Sequence, residues 1–456
     1  MSVSIALFTS DLRLHDNPSL HSALGSAGQV VPLFVVDDAI RDSGFCVPNR
    51  AAFLAGCLAD LDTRLRRAGA RLAVRTGEVA EQVRAVAAEA GAREVHIAAG
   101  VSGYAQRREE RLRAALERDG RVLVVHDAVV TAVAPGAVTP TGKDHYAVFT
   151  PYLRRWAQHG VRAPLPAPRR IAGADVRFGP LPSAASLADG TPSPDLPEGG
   201  ETAGRRLLDR WLDGPVEGYA DGHDDMPGDL TSRLSPYLHF GCLSAAELVH
   251  RATAVGGEGA ESFVRQLAWR DFHHQVLAAR PTAAHRDYRT KGDRWHAGTD
   301  EIEAWREGRT GYPIVDAAMR QLRHEGWMHN RARLLAASFL TKTLYADWRV
   351  GAAHFLELLV DGDLANNQLN WQWAAGTGTD TRPNRLLNPL TQAKRFDPDG
   401  DYVRRWVPEL AGVPGGAVHR PWRLRAADRA ALEYPEPIVD LDEAAARFRQ
   451  ARGLDD

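Results

Sequence analysis

The periodicity of the sequence changes once, near residue 200, and that change restricts the fold more than any other feature. Over the first 130 residues, short β-rich runs alternate with amphipathic helical stretches. Residues 4–8, 30–36, 71–75, 94–98 and 121–125 read as strands. Several are continuous apolar runs, as expected of strands covered on both faces. Residues 51–69 and 77–91 read as helices, with Leu54, Leu58, Leu61 and Leu65 at three- or four-residue spacing, and Gly69, Gly77 and Gly91 mark element ends. This alternation predicts a parallel, doubly wound α/β sheet, with ligands expected beyond the carboxyl ends of its strands.

From residue 201 onward strand signals almost vanish. Ser244-Ala-Ala-Glu247 is a capping box, and Pro313 sits in the first turn of a helix over 314–324. Between the two regimes lie the Pro-rich stretches Ala163-Pro-Leu-Pro-Ala-Pro168 and Gly190-Thr-Pro-Ser-Pro-Asp-Leu-Pro197, preceded by a helix near 152–158. The expected organisation is an α/β domain over 1–130, a linker with a short helix over 131–200, and an all-α domain over 201–456.

The aromatic content follows the same division. Of 11 Trp, only Trp156 precedes residue 200; Trp211, Trp269, Trp295, Trp305, Trp327, Trp348, Trp371, Trp373, Trp406 and Trp422 all follow it. Three widely spaced Cys (Cys46, Cys57, Cys242) argue against a disulfide scaffold and a Cys-ligated metal site. No apolar run approaches 18 residues and no signal-peptide pattern opens the chain, so a cytoplasmic protein without a membrane span is expected. A net charge of −2 leaves room for a local basic groove.

Several motifs fail on spacing. Gly142-Lys143 is followed by Asp144, not Ser or Thr, and reads as a hairpin turn rather than a P-loop. No G-x-G-x-x-G follows the first strand and no G-x-S-x-G is present. His324 and His329 stand five apart, which diverges around a helix, so no metal is expected there.

Four constellations remain. Gln266, Trp269, Arg270 and His273 fall on one helical face, while Leu267, Ala268, Phe272 and Val276 turn elsewhere. An amide, an indole and a guanidinium together suit a planar polar ligand or a nucleobase; a solvated face is the plain alternative. In Gly326-Trp-Met-His-Asn-Arg-Ala-Arg-Leu334, the residues Asn330, Arg333 and Leu334 share a face. Arg331 and Arg333 offer planar forks for phosphate or carboxylate, or are ordinary surface charge. Asp361-Gly-Asp-Leu-Ala-Asn-Asn-Gln-Leu-Asn-Trp-Gln-Trp373 is too polar for a core and too aromatic for a plain loop. Thr231-Ser-Arg-Leu-Ser-Pro-Tyr237 leads hydroxyls and backbone N–H groups into a helix, either as an anion cradle or as simple capping. These describe a helical domain with a polar, aromatic cavity and do not by themselves name a cofactor.

On these residues, with Asp11-Leu-Arg-Leu-His-Asp-Asn17, Val148-Phe-Thr-Pro151, Trp269-Arg-Asp-Phe272 and Gly308-Arg-Thr-Gly-Tyr-Pro-Ile-Val-Asp-Ala-Ala-Met-Arg320, the chain resembles the DNA photolyase/cryptochrome family over nearly its whole length. It is most similar to the class I cyclobutane pyrimidine dimer photolyases. The resemblance implies an N-terminal α/β antenna domain and a C-terminal helical domain that buries a U-shaped FAD. It implies that Tyr219, Thr231, Ser232, Arg233, Leu234 and Ser235 hold the phosphates and ribityl chain. Phe263, Gln266, Arg270, Asn330, Arg333, Asp361, Asp363 and Asn367 would surround the rest, with Asn367 facing N5 and Asp361 and Arg333 forming a buried ion pair. Trp371, Trp348 and Trp295 would form the electron-transfer chain. Trp269 and Trp373 would wall the lesion pocket, with Gln266, Asn330 and Leu334 contacting the dimer. Arg331, Lys394 and Arg395 would hold DNA phosphates. Trp305, Trp327, Trp406 and Trp422 are left to packing.

The implied reaction is light-driven repair by a carbon–carbon lyase. A pyrimidine dimer flips out of DNA into the cavity, photoexcited FADH⁻ lends one electron, the cyclobutane ring splits, and the electron returns. Two features depart from the family pattern. Gln266 stands where cyclobutane-dimer enzymes commonly have Glu and the (6-4) branch has Gln. That branch also has His at the positions of Asn330 and Leu334, so the cyclobutane dimer is retained as substrate. Tyr104 and Ala105 replace the Asn and Glu that grip methenyltetrahydrofolate, which favours an 8-hydroxy-5-deazaflavin antenna. A cryptochrome-like photoreceptor is the alternative reading; the short stretch after Trp422 weakens it. The expected assembly is a monomer on damaged DNA.

Overall fold

The apolar runs of the first region do become strands. A computed structural model describes residues 2–296 and 298–454. Its strands are β1 (Val3–Phe8), β2 (Gln29–Asp37), β3 (Ala73–Gly77), β4 (Glu94–Ala98) and β5 (Val122–His126). They form one parallel sheet in the order β3-β2-β1-β4-β5. Chain order reverses beside β1, so the switch point lies at the carboxyl ends of β1 and β4. The third strand starts two residues later than expected. Arg71 and Leu72 precede it, and Leu72 N–H is taken by Asp62 Oδ1 (2.9 Å) rather than by the sheet.

Side-chain alternation on β1 divides the core. Ile5 and Leu7 face helices Val79–Ala90 and Gly103–Arg118, whereas Ala6 and Phe8 face Pro48–Ala68 and the helical region. The second cluster is continuous from the sheet through Tyr152 and Trp156 to Leu234, Phe263 and Phe272. This cluster joins the two halves of the chain, while a separate one around Trp305, Trp348 and Trp371 lies wholly within the helical region. The pattern did not single out the helix Gly103–Arg118, because charge dominates it and only Ala105, Leu112, Ala115 and Leu116 supply its apolar stripe.

Among the described residues no strand follows β5; the later elements are α-, 3₁₀- and π-helical. The Pro-rich connector is irregular but packed. Its backbone meets the sheet edge through Val30 N–H to Ala172 O (2.9 Å) and Ala174 N–H to Val30 O (3.1 Å). Gly142 lies in a turn, but no strands flank it, so the expected hairpin is absent there. No described helix is long and apolar enough to cross a membrane.

The Asp11–Asn17 motif joins the two halves. Arg13 is fully buried and donates to the carbonyls of Asp16 (2.9 Å), Val129 (2.8 Å) and Gly241 (2.9 Å). Asp16 accepts from Arg162 and from Ser244 Oγ. Glu201 accepts from Leu14 N–H (2.7 Å). Ser244 caps its helix through Glu247 N–H (3.3 Å). The Glu247 carboxylate does not complete the box; it pairs with His15 and Arg205, both at 3.0 Å, where charge strengthens the bonds. The stretch after Gly308 has a similar structural use. Buried Asp316 gathers Thr310 N–H (2.7 Å), Thr310 Oγ1 (2.6 Å), Gly311 N–H (3.1 Å) and Tyr434.

Candidate functional site

The helix Gly257–Ala279 supplies the first wall. Leu267, Ala268, Phe272 and Val276 are buried in the core, as their spacing predicts. The other face differs in one respect: His273 is also buried, with Nδ1 3.0 Å from Asn366 Oδ1. Burial pushes His273 down to about 4, so it is neutral near pH 7. Arg270 is held by the carbonyls of Val130 (2.7 Å) and Leu238 (3.3 Å). Trp269 stacks on Phe149, with ring centroids 3.6 Å apart and planes 9° from parallel, and stands edge-on to Phe272 at 5.5 Å.

The loop 219–235 supplies the second wall. Tyr219 packs against Phe263 (5.9 Å) and Trp211 (5.5 Å). Thr231 Oγ1 donates to Asp229 Oδ1 (2.8 Å), and Leu234 N–H meets Ser232 Oγ (3.4 Å). Ser235 opens the helix Ser235–His239 and accepts from Trp327 Nε1 (3.1 Å). Arg233 does not present a free guanidinium. Its Nε donates to Asp229 (2.7 Å), Nη2 lies 3.2 Å from Glu325, and the group covers the Trp327 ring at 4.2 Å. Its side chain is used to shape the loop, and its positive φ of 49° belongs to that turn.

The third wall runs from Asp361 into the helix Leu364–Ala375. Asp361 Oδ2 accepts from Arg333 Nη2 at 2.8 Å; their side chains are 3% and 25% exposed. Asp361 Oδ1 is buried with no donor. Arg333 also donates through Nε to Met328 O (2.9 Å). Asp363 caps the helix by accepting from Asn366 N–H (2.7 Å) and lies 3.3 Å from His274. Burial alone would raise the Asp363 carboxyl. His274, Arg270 and His239 outweigh it and hold it well below the usual carboxylate range. Asn367 donates to Ala352 O and Gln368 Oε1, both at 3.0 Å, so its amide orientation is set.

These walls form one chain of contacts: Ser235, Trp327, Arg333, Asp361, then Asp363, His274 and Arg270. Asn330, at the start of the helix Asn330–Ser338, is exposed and Leu334 is half-buried on the same face. Trp373 is half-buried. Lys394 and Arg395 lie on the helix Pro389–Phe396, where Arg395 covers the Phe396 ring at 4.9 Å. Arg331 covers the same ring at 4.3 Å. It is not free, however, since Asp224 accepts from its Nε (3.1 Å) and Nη2 (2.5 Å). A phosphate would have to compete with that carboxylate.

The tryptophans differ in setting. Trp371 and Trp348 are buried, and Trp295 is half-buried beside Tyr345 at 5.1 Å. Trp348 Nε1 donates to Asp287 (2.9 Å). Trp371 stands edge-on to Phe355 (4.9 Å) and to Trp305 (6.0 Å). A Cβ on Gly351 would lie 2.1 Å from Trp371, so only glycine leaves room for this indole. Trp305 and Trp327, left to packing on sequence grounds, each touch the candidate site. Trp327's place in Gly326-Trp-Met-His-Asn-Arg331 was the available signal. Trp305 had none, because its contact with Trp371 spans 66 residues of chain.

A cavity opens at the carboxyl ends of β1 and β2. Phe8, Phe34, Phe45 and Phe240 wall it, with Asp37, Arg50 and Arg108 among them. Arg108 is buried and its Nε has no partner. Tyr104 donates to Asp37.

Comparison with known proteins places this geometry. Residues 4–169 match the family described as DNA photolyase, and residues 263–453 match the FAD binding domain of DNA photolyase. The chain is 66% identical to deoxyribodipyrimidine photo-lyase of Streptomyces griseus, covering 100% of both chains. Its structure is similar to a bacterial class III photolyase from Agrobacterium tumefaciens, with a TM-score of 0.93, 32% identity and coverage of 99% of this chain and 97% of that one. It is also similar to an archaeal photolyase from Sulfolobus tokodaii with two FAD molecules, with a TM-score of 0.83, 31% identity and 99% coverage of both. The doubly wound sheet, the helical FAD-binding domain and these likenesses agree: the chain belongs to the DNA photolyase/cryptochrome family.

Proposed function

We propose that this chain is a light-driven DNA repair enzyme of the class I type that splits cyclobutane pyrimidine dimers with reduced FAD. The observation that carries the reading is Asp361. A carboxylate with one oxygen on Arg333 and the other buried without a donor is costly unless a ligand completes it. The N–H edge of an isoalloxazine is such a donor, so the residues fit the flavin. Asp363, Arg270 and the oriented amide of Asn367 would line the same group, and Tyr219, Thr231, Ser232 and Ser235 would hold its chain and phosphates. Arg233 supports that loop from behind. When bound and excited by blue light, the reduced flavin supplies one electron and takes it back.

The chain's own residues do the rest. Trp269 and Trp373 offer apolar faces to the flipped-out dimer, and Gln266 and Asn330 offer amides that both donate and accept at pyrimidine edges. Lys394 and Arg395 attract the DNA backbone, with Arg331 available only by exchange with Asp224. Binding should weaken as salt rises. Trp371, Trp348 and Trp295 would pass in the electron that restores the reduced cofactor. The working unit would be a cytoplasmic monomer with a catalytic part after residue 200 and an antenna part before 130.

One residue favours a second reading. Gln266 suits a (6-4) photoproduct, although Asn330 and Leu334 stand where that chemistry has histidines. Blue-light repair of two oligonucleotides, one with a thymine dimer and one with a (6-4) photoproduct, decides between them. Restoration of the dimer alone is expected. Restoration of neither by flavin-reduced protein would reject the enzyme reading in favour of a photoreceptor.

The cavity beside β1 and β2 is the antenna site in this reading. Aromatic walls and a buried Arg108 whose Nε has no hydrogen-bond partner suit a planar chromophore bearing negative charge, such as 8-hydroxy-5-deazaflavin. Reconstitution with deazaflavin, folate or a second flavin, read by energy transfer to the bound FAD, tests this assignment.

A further inference from the structure

Arg265 stands one residue before Gln266 on the helix Gly257–Ala279 and is exposed. Its guanidinium lies over the Phe149 ring, with Cζ 5.5 Å from the centroid. The same Phe149 ring lies under Trp269 at 3.6 Å. Arg265 and Trp269 are four residues apart, so they share a helix face about one turn, or about 6 Å, apart along the axis. Phe149 is buried and comes from another element, the helix Phe149–His159. It thus forms one platform for both side chains. Among the described residues Arg265 has no carboxylate ion-pair partner, in contrast to Arg331, which Asp224 occupies, and Arg233, which Asp229 and Glu325 occupy.

We propose that Arg265 is a DNA-phosphate contact of this protein, held beside the lesion wall by the Phe149 platform so that it grips the duplex backbone at the cavity mouth whether or not a base is flipped. The inference rests on the reading of Trp269 as a wall of the lesion cavity. A planar guanidinium resting on an aromatic face keeps its N–H edges outward for a phosphate, and loses less freedom on binding than a free side chain would. A phosphate contact carries no base information, so Arg265 should add affinity for damaged and undamaged DNA alike.

The test uses the flavin-loaded full chain and fluorescently labelled duplexes with and without one thymine dimer, titrated from low to moderate salt. For Arg265→Ala, the slope of log affinity against log salt should become shallower by about 0.9, the value for one released counterion. Both duplexes should lose affinity by the same factor. Arg265→Lys should restore the slope. Flavin content of each variant, read from its absorbance, should stay at the parent level, which separates a lost contact from a disturbed fold. An unchanged slope in Arg265→Ala would overturn the proposal. So would loss of affinity for the damaged duplex alone, because a phosphate grip cannot discriminate the lesion. Trp269→Ala on the same duplexes reports the underlying reading separately. If it retains full preference for the damaged duplex, the lesion-wall assignment fails, whatever Arg265 does to the slope.

Discussion

Removing Arg333 should damage this protein more than removing Arg333 and the charge of Asp361 together. The Asp361 side chain is 3% exposed, and its single charged donor is Arg333 Nη2 at 2.8 Å. Its other oxygen has no donor. Arg50, from the helix Pro48–Ala68, contributes positive charge nearby, but its N–H groups are taken by the carbonyls of Leu359 and Phe45. Arg333→Met therefore strands a buried carboxylate. Breaking a buried pair in this way costs about 3–5 kcal/mol, and Arg333's 25% exposure puts this case near the lower end, about 3 kcal/mol. Asp361→Asn removes the charge and leaves a partly hydrated guanidinium that keeps Met328 O, a loss of about 1–2 kcal/mol. The double variant should sit nearer to Asp361→Asn than to Arg333→Met, because no charge is left stranded. Urea unfolding of all four proteins without flavin, followed by tryptophan fluorescence, gives the shifts from the midpoints at matched slopes. If the double variant loses the sum of the two single losses, the groups are not coupled and the reasoning fails.

Three further outcomes are expected. Trp371→Phe should abolish photoreduction of the oxidised flavin, measured by its absorbance under blue light, while repair by chemically prereduced enzyme persists; normal photoreduction would remove Trp371 from the chain. Gly351→Ala would place a Cβ 2.1 Å from Trp371, so it should destabilise by about 1–3 kcal/mol and slow photoreduction, with unfolding and flash photolysis as the readouts. His239 and His273 are both pushed down to about 4 by burial. Such groups bind protons in the unfolded chain from about pH 6.5 downward but in the folded chain only near 4. Their contribution is intact above about pH 6.5 and is lost as pH falls toward 4. Circular dichroism should show stability falling through that window, and His273→Gln should flatten the fall.

The elements and the chemistry on offer are legible in the residue pattern alone. Strand–helix alternation and its loss near residue 200 are local patterns, since side-chain periodicity follows from backbone geometry within a few residues. The spacing of Leu267, Ala268, Phe272 and Val276 likewise announced the buried side of its helix. The motifs Thr231–Tyr237, Gly326–Leu334 and Asp361–Trp373 held most of the candidate site. What those side chains are free to do was a tertiary matter. Arg331 reads as a phosphate fork and Arg233 is implied to hold FAD phosphates, yet Asp224 and Glu325 take them up from 107 and 92 residues away. Arg50 reaches the Asp361 loop across 309 residues. Phe149, 120 positions before Trp269, decides which face of that indole is covered. A guanidinium is available to DNA only if no carboxylate reaches it first, and carboxylates distant in sequence are brought near only by packing.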